Sequence, residues 1–501
     1  MATNSGVSEK ITFARELKNI NEQIKINVKT DCPCEQIKRV VSVIPEVRLN
    51  KKEILEDGLR LKLTLTFYIC YIDLEGEIRK CECGNLFDTK LPLSEKCDRV
   101  FVSPVVEKHE VDLSGINLSV TGYVGIKVRK ERDESVSALV GGEGLIVRRR
   151  EFSPQKTLGI KEGILPLNEE IELGYSAKEV LVQKANVVIT SAIAGVGVII
   201  VDGKVNFSTI LLQSGEKKDI IKEKKTIPFR YEIECDDAMP NFSAVASGSI
   251  KSLKTEISVD QEKDISLINA EISVRIEAEC FKEESINLAC DLFSLTHQTD
   301  VKRYTFDVYN CGEMRSILKT FNLLCQYDQV EDCSLIGITG ENAEILTYSL
   351  LEDGVAVTGI FNGILLFKTK EGELISRKIE SPFEERLEIN ENITDCKIDL
   401  CITDISARET TRGEVDVCIE ATFSVYPKTK RQMGVITEVG LTDSKPLPKY
   451  PLSIYIGKAG EDEWDLAKRL NVSPENLIET NKELVFPLTG EERIVIYRQK
   501  K

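Results

Sequence analysis

Histidine and tryptophan are scarce in this 501-residue sequence, which contains only His109, His297 and Trp464 of these two types. The two histidines lie far apart along the chain, so the sequence indicates no histidine-based triad and no histidine-rich metal site. A glycine-rich loop ending in Gly-Lys-Ser or Gly-Lys-Thr is also missing, since Gly195-Val196-Gly197 lies in an apolar run without the lysine. We therefore expect neither enzymatic activity nor a cofactor.

Positive charge and long apolar runs are lacking as well. The formal net charge of -16 argues against binding of nucleic acid or an anionic membrane and is compatible with a basic protein partner. The most apolar segment, residues 187–201, is shorter than the roughly 20 residues that span a bilayer, and its β-branched residues predict a buried strand. Residues 1–18 have no apolar core of a secretory signal, so we expect the chain to remain in the cytosol.

The fifteen cysteines are an odd number spread over a large chain, and we expect reduced core residues rather than a disulfide framework. Two pairs need separate consideration, Cys32-Pro33-Cys34 and Cys81-Glu82-Cys83. Their four thiols could bind zinc or take part in redox chemistry, but zinc motifs usually have two or more residues between the ligands. We interpret them as ordinary thiols and predict no metal.

What the sequence does contain is an internal repeat, seen best in residues 352–383. An acidic turn, a long β-type run, a second turn and a Pro-aromatic stop follow one another, and eighteen residues separate the two turn glycines in the first and third copies. The opening glycines and closing pairs of the three copies are Gly58 with Pro92-Leu93, Gly203 with Pro228-Phe229, and Gly354 with Pro382-Phe383. Their spacing of about 150 residues is a domain period.

Strict alternation of apolar and polar residues over 59–71, 270–280 and 415–425 predicts half-buried antiparallel strands. The sequence therefore predicts a mainly β (α+β) protein of three modules, at residues 1–160, 161–300 and 301–427. Short helices are expected as well. A leading helix is predicted at 8–23, and one helix in each module at 37–41, 176–183 and 313–320.

Two segments are predicted to lie outside the packed cores, one between modules one and two and one after module three. Residues 130–162 are charged and contain glycine, which favours an exposed connection or a covering segment rather than core. Within them, Arg148-Arg149-Arg150 is either a solvated charge run or a partner-binding patch. Residues 428–451 contain three prolines and few apolar residues, which favours a semi-extended linker.

The last unit, residues 452–501, has its own pattern. We predict a strand at 453–457, helices at 461–470 and 473–480, and a returning strand at 493–497. Ser473-Pro474 is a strong helix start, because a serine oxygen can cap the free amides and proline needs no donor in the first turn.

This βααβ order resembles a LysM domain. The residues that carry the resemblance are Tyr455, Gly460, Trp464, Leu466, Ala467, Leu477 and Asn481. The resemblance implies a groove for N-acetylglucosamine polymers between the loop before the first helix and the loop after the second. Glu461 stands where the family usually has aspartate and Glu463 where it has an apolar residue, and three adjacent carboxylates favour a cationic protein surface over a neutral sugar.

Repeated β modules followed by one LysM-like unit resemble the SPOCS-plus-LysM spore morphogenetic proteins of spore-forming Firmicutes. The resemblance implies a scaffold of the mother cell that tethers the spore coat to the forespore surface by binding the coat ATPase, stage IV sporulation protein A, mainly through the LysM unit. The residues expected to bind the partner are Tyr455, Ile456, Glu461, Asp462, Glu463, Trp464, Lys468, Leu470 and Asn481. The alternative is an envelope protein that binds peptidoglycan or another N-acetylglucosamine glycan.

Overall fold

A computed structural model of the chain describes residues 6–16, 26–34, 36–93, 95–114, 117–215, 219–260, 265–328, 332–389, 393–411, 413–446 and 450–497. Within these ranges the secondary structure is almost entirely antiparallel strand, and both helices lie in the C-terminal unit. The prediction of a mainly β protein is therefore confirmed. No helix in the described ranges is long and apolar enough to cross a bilayer.

The strand order repeats three times along the chain. Module one contains β1 (Gly6–Glu16), β2 (Ile26–Cys32), β3 (Ile37–Leu55), β4 (Gly58–Asp73), β5 (Ile78–Leu91), β6 (Arg99–Ser114) and β7 (Asn117–Gly142). Module two contains β8 (Ile146–Phe152), β9 (Gln155–Glu172), β10 (Ala177–Ala194), β11 (Val198–Gln213), β12 (Ile220–Glu234), β13 (Ser243–Asp260), β14 (Ile265–Glu283) and β15 (Ile286–Phe293). Module three contains β16 (His297–Cys311), β17 (Arg315–Gln326), β18 (Cys333–Leu351), β19 (Gly354–Thr369), β20 (Leu374–Glu388), β21 (Asp395–Thr411) and β22 (Glu414–Ser444).

Each module is a sandwich of two sheets. One sheet is a three-stranded meander, β3-β4-β5, β10-β11-β12 or β18-β19-β20. In the other sheet a long strand pairs with two neighbours: β7 with β2 and β6, β14 with β9 and β13, and β22 with β17 and β21. Alternate residues of the strands face the space between the sheets. Leu59, Leu61, Leu63, Leu65 and Phe67 of β4 are all fully buried there, as period-two alternation predicts.

The three modules share apolar clusters at two places. The outer faces of the three meanders share an apolar cluster that includes Ile72, Leu212 and Leu366. At the second place, three two-stranded ribbons (β1 with the end of β7, β8 with β15, and β16 with the end of β22) pack around Ala138, Leu288 and Val435. The modules therefore contribute corresponding elements to both contacts.

The helices predicted for the modules are wrong. Residues 8–16 belong to β1, while 17–23 lie outside the described residues. Residues 37–41 and 176–183 fall on β3 and β10, and 313–320 on β17 and the residues before it. Register shifts interrupt β3 and β10 at these places, because each bulge inserts one extra residue into the strand. The inward-facing apolar residues are then three or four positions apart in sequence, which is the spacing of a helix.

The predicted connections are strands instead. Residues 130–162 include the end of β7, all of β8 and part of β9, and Lys130 is buried. Residues 428–444 continue β22 and pair with β16, so the segment is not a linker there, and 447–449 lie outside the described residues. The modules defined by strand order therefore begin and end at other residues than the predicted boundaries at 160, 300 and 427.

The structure aligns the three copies of the repeat at other residues than the sequence pattern does. Gly58 and Gly354 open their strands, but Gly203 lies within β11 opposite Phe229, as Gly359 lies opposite Phe383. In module one the corresponding pair is Leu63 and Phe87, so Leu86-Phe87 takes the place that the sequence assigned to Pro92-Leu93.

The expectation that all cysteines are reduced is wrong for one pair. Cys32 and Cys83 form a disulfide that joins β2 to β5, with their Cα atoms 5.4 Å apart. The other thirteen cysteines are free.

Candidate partner-binding surface of the C-terminal unit

The C-terminal unit contains β23 (Leu452–Ile456), α1 (Glu463–Leu470), α2 (Pro474–Thr480) and β24 (Arg493–Tyr497), and the two strands pair antiparallel. The predicted order of strand, helix, helix and strand is thus confirmed. Ser473 caps α2 as expected, since its Oγ accepts the Asn476 N–H at 3.2 Å. Asp462, rather than a residue before it, caps α1 by accepting the Asp465 N–H at 2.8 Å.

Trp464 and Lys468 fix α1 to the β8–β15 ribbon. The Trp464 Nε1–H donates to Asp291 Oδ2 at 2.8 Å, and the Trp464 ring meets the edge of Phe293 with the centroids 5.3 Å apart. Lys468 donates to the same carboxylate at 2.7 Å, and Arg303 does so at 2.8 Å. Two residues predicted to contact a partner therefore contact module two.

Asp291 is the charged centre of this seam. Burial acts to raise the pKa of its carboxyl group, but the hydrogen bonds from Lys468 and Trp464 outweigh it and hold the pKa below the usual value. The carboxylate is therefore ionised when the unit is docked. Arg148 lies in the same seam and pairs with Asp462 at 2.9 Å, so one arginine of the 148–150 run has a contact within the chain.

The acidic loop before α1 is largely neutralised by the chain itself. Glu461 accepts two hydrogen bonds from Arg469, at 2.6 and 2.7 Å, and these lower the pKa of its carboxyl group. Asp462 is bonded to the helix end and to Arg148. Glu463 is partly exposed in the first turn of α1. The loop consequently offers a cationic partner less free charge than three adjacent carboxylates suggest.

Three further predicted residues are placed by the structure as follows. Leu470 is buried in the core of the unit. Asn481 donates to the carbonyls of Leu477 and Val495 and accepts the Val495 N–H, so it closes the fold of the unit. Tyr455 is partly buried against the same core.

The outer face of the two-stranded sheet is apolar and exposed. Leu452, Ile454 and Ile456 of β23 all point away from the helices and are more than half exposed, and Tyr497 lies opposite Leu452. The other face of β24 is buried, with Ile494 and Ile496 against the helices. An apolar patch of this kind is typical of an interaction site.

Sequence reasoning identified Ile456 but missed Leu452, Ile454 and Tyr497. A signal was present, because a two-stranded sheet with both helices on one side must leave its other face uncovered. No sequence pattern indicated the contact of Trp464 with Asp291, since the two residues lie far apart along the chain.

The loop before α1 and the loop after α2 are hydrogen-bonded to each other. Gly460 N–H donates to the Leu488 carbonyl at 2.8 Å, and Leu488 N–H donates to the Glu461 carbonyl at 2.9 Å. Backbone groups at this place are thereby already satisfied. Within the part of the chain that the structure describes, no three His, Cys, Asp or Glu side chains are grouped to hold a metal ion.

Comparison with protein-family models, with curated proteins and with solved structures gave no significant match for this chain.

Proposed function

We propose that this protein is a spore coat morphogenetic adaptor similar to clostridial SipL, the functional counterpart of stage VI sporulation protein D. In this proposal it acts in the mother cell at the forespore surface. Its C-terminal unit binds the coat ATPase, stage IV sporulation protein A, while the three modules form the platform that joins the ATPase to the coat.

The observation that carries the proposal is the exposed apolar face of β23 and β24. The helical side of the unit is already in contact with module two through Trp464, Lys468 and Asp291. A partner of the full chain therefore meets the strand side, where Leu452, Ile454 and Ile456 stand in a row. Apolar anchors of this kind supply most of the energy of protein interfaces.

The test is Ile454→Glu in the full chain, with binding to the purified ATPase measured by calorimetry. A carboxylate at the centre of the apolar row should weaken binding at least tenfold, or about 1.4 kcal/mol. Leu86→Glu is the matched control, because Leu86 is similarly exposed (69% against 64% for Ile454) on β5 of module one. Equal binding by Ile454→Glu and the parent chain would remove the strand face from the proposal.

Deletion of residues 452–501 tests the unit as a whole. We expect the truncated chain to lose capture of the ATPase, and full retention would refute the assignment. Charge reversal is best limited to Glu463→Lys, because changes at Glu461 or Asp462 also break the Arg469 pair or the cap of α1.

A glycan-binding envelope protein is the competing function. The bonds between Gly460, Glu461 and Leu488 favour the adaptor, because they occupy backbone groups of the loops that would line a sugar groove. Titration of the full chain with chitin oligomers separates the two. Saturable micromolar binding that Ile454→Glu leaves unchanged would favour the glycan function.

A further inference from the structure

Four cysteines of module one form a two-rung ladder between its sheets. The Cys32–Cys83 disulfide is the first rung. Beside it, the thiols of Cys34 and Cys81 are hydrogen-bonded to each other. The two rungs are adjacent because residues two apart on β5 face the same side, and a tight turn with Cys34 N–H donating to the Cys32 carbonyl at 2.8 Å does the same on the β2 side.

The two free thiols of the ladder are not equivalent. Cys34 is buried, whereas Cys81 is partly exposed. The contact between the two thiols lowers the pKa of the Cys81 thiol and raises the pKa of the Cys34 thiol, and burial adds to the latter. A reagent from solution therefore meets Cys81 first, and Cys81 is the thiol that ionises more readily.

Modules two and three have no cysteine at the position of Cys81. Cys81 lies six residues before Phe87, and Glu223 and Arg377 lie six residues before the matching Phe229 and Phe383. In module two, Glu223 accepts a hydrogen bond of 2.9 Å from Tyr175, which occupies the place of Cys34. In module two, a polar contact therefore joins the two sheets at this place. The thiol pair of module one adds redox chemistry that such a contact does not have.

We propose that Cys34 and Cys81 are a redox-active dithiol, which a low-molecular-weight disulfide oxidises to a second cross-link beside Cys32–Cys83. The Cys81 thiolate attacks one sulfur of the oxidant, whose S–S bond breaks and releases one thiol. Cys34 then gives up its proton and attacks Cys81 Sγ in the mixed disulfide, which expels the second thiol. The protein loses two electrons and two protons, and the oxidant disulfide becomes two thiols.

Oxidation ties the two sheets of module one together at a second point. β2 belongs to the sheet of β7, and β5 belongs to the meander, so both rungs cross the sandwich. Asn85 already joins the same strands by donating to the Lys29 carbonyl and to Thr30 Oγ1, at 3.1 and 3.0 Å. The second rung therefore forms without separating elements that are in contact.

The test uses the native full chain with oxidised glutathione, followed by alkylation in denaturant and peptide mapping without reductant. We expect two fewer alkylated cysteines than the thirteen free ones, and a peptide in which Cys34 is linked to Cys81. Two alkylatable thiols at these positions after oxidation would overturn the proposal. So would one equivalent of zinc bound to the purified protein with all four thiols reduced.

Variants separate the proposal from general thiol oxidation. Cys81→Ser should abolish the change, and so should Cys34→Tyr with Cys81→Glu, which reproduces the pair found in module two. Cys70→Ser is the control, because Cys70 is buried in the same module and burial raises the pKa of its thiol to about 12. It should leave the two-thiol change intact. Loss of the change in Cys70→Ser, or its persistence in Cys81→Ser, would contradict the assignment.

Discussion

The three long strands β7, β14 and β22 carry different side chains at one corresponding position. The residue there is Glu131 in module one, Glu279 in module two and Lys428 in module three. Each lies thirteen residues after the first inward-facing residue of its strand; those residues are Leu118, Ser266 and Val415. The three positions meet around one cavity of about 80 Å³. Three copies of one glutamate would bring three negative charges together there. Two glutamates are accommodated there, and the lysine of module three supplies the opposite charge.

Charged and aromatic side chains surround this meeting point. Arg99 of module one is buried, pairs with Asp133 at 2.9 Å and Glu131 at 3.3 Å, and reaches within 3.9 Å of Glu279. Arg129 stacks over the Phe101 ring at 4.2 Å. Cations from modules one and three thus surround a glutamate from module two, so the cluster contributes to the packing of the modules as well as to local charge balance.

The largest effect on stability is expected for Lys428→Glu. A third carboxylate would be placed in a buried site beside Glu131 and Glu279, and an uncompensated buried charge costs about 3–5 kcal/mol. We expect a large fall in the denaturant midpoint. Lys430→Glu is the control two residues along β22, because Lys430 is paired with Asp307 at the surface, where an ion pair contributes little to stability. Equal midpoints for the two variants would show that the cluster does not hold the modules together.

Glu279→Gln should change how the stability of the chain depends on pH. Burial and the neighbouring Glu131 raise the pKa of Glu279 from 4.5 to about 7, against the opposing effect of Arg129, Arg99 and Lys428. The folded chain therefore holds this proton more tightly than the unfolded chain, and the associated stability is complete below pH 4.5 and is lost as the pH rises through about 7. The loss is about 3 kcal/mol.

Glutamine imitates the protonated carboxyl group, so Glu279→Gln should remove this part of the pH dependence. Unfolding free energies measured across the interval from pH 4.5 to pH 8 check the expectation. A variant whose profile stays parallel to that of the parent chain would contradict it.

The strands could be predicted from the sequence because a strand buried on one face alternates apolar and polar residues. This alternation is visible without knowing which strands pair with it. The alternation in β4, β14 and β22 is of this kind, and so is the capping of α2 by Ser473. Two of the wrongly predicted helices have an equally local cause. Bulges in β3 and β10 changed the apolar spacing to three and four, and period alone then favours a helix.

The candidate surface was harder to predict, because which face of a small unit is free depends on the rest of the chain. Trp464 and Lys468 are typical contact residues, and they do make contacts, but with Asp291 of module two. Ile454 lies in the predicted strand 453–457, whose pattern did not indicate which side chains are free, and it is exposed. Only tertiary packing distinguishes these cases, and the same holds for the four-cysteine ladder.

A smaller effect is expected at a second set of corresponding positions, Leu63, Gly203 and Gly359. A Cβ on Gly359 would lie 2.2 Å from Phe383 Cζ and 2.5 Å from the Glu344 carbonyl oxygen, whereas module one accommodates a leucine opposite Phe87. Gly359→Ala should therefore cost about 1–3 kcal/mol, the usual range for an overpacked site.

Gly337→Ala is the matched control for Gly359→Ala, because a Cβ at Gly337 of the same module meets nothing within 4 Å. Adding Phe383→Leu to Gly359→Ala should recover part of the loss, since the ring then no longer covers the position, while the clash with the Glu344 carbonyl persists. Denaturant midpoints of the three variants decide the matter. If Gly359→Ala and Gly337→Ala unfold at the same midpoint, the glycine in modules two and three is not required by the ring above it, and the divergence from Leu63 has another cause.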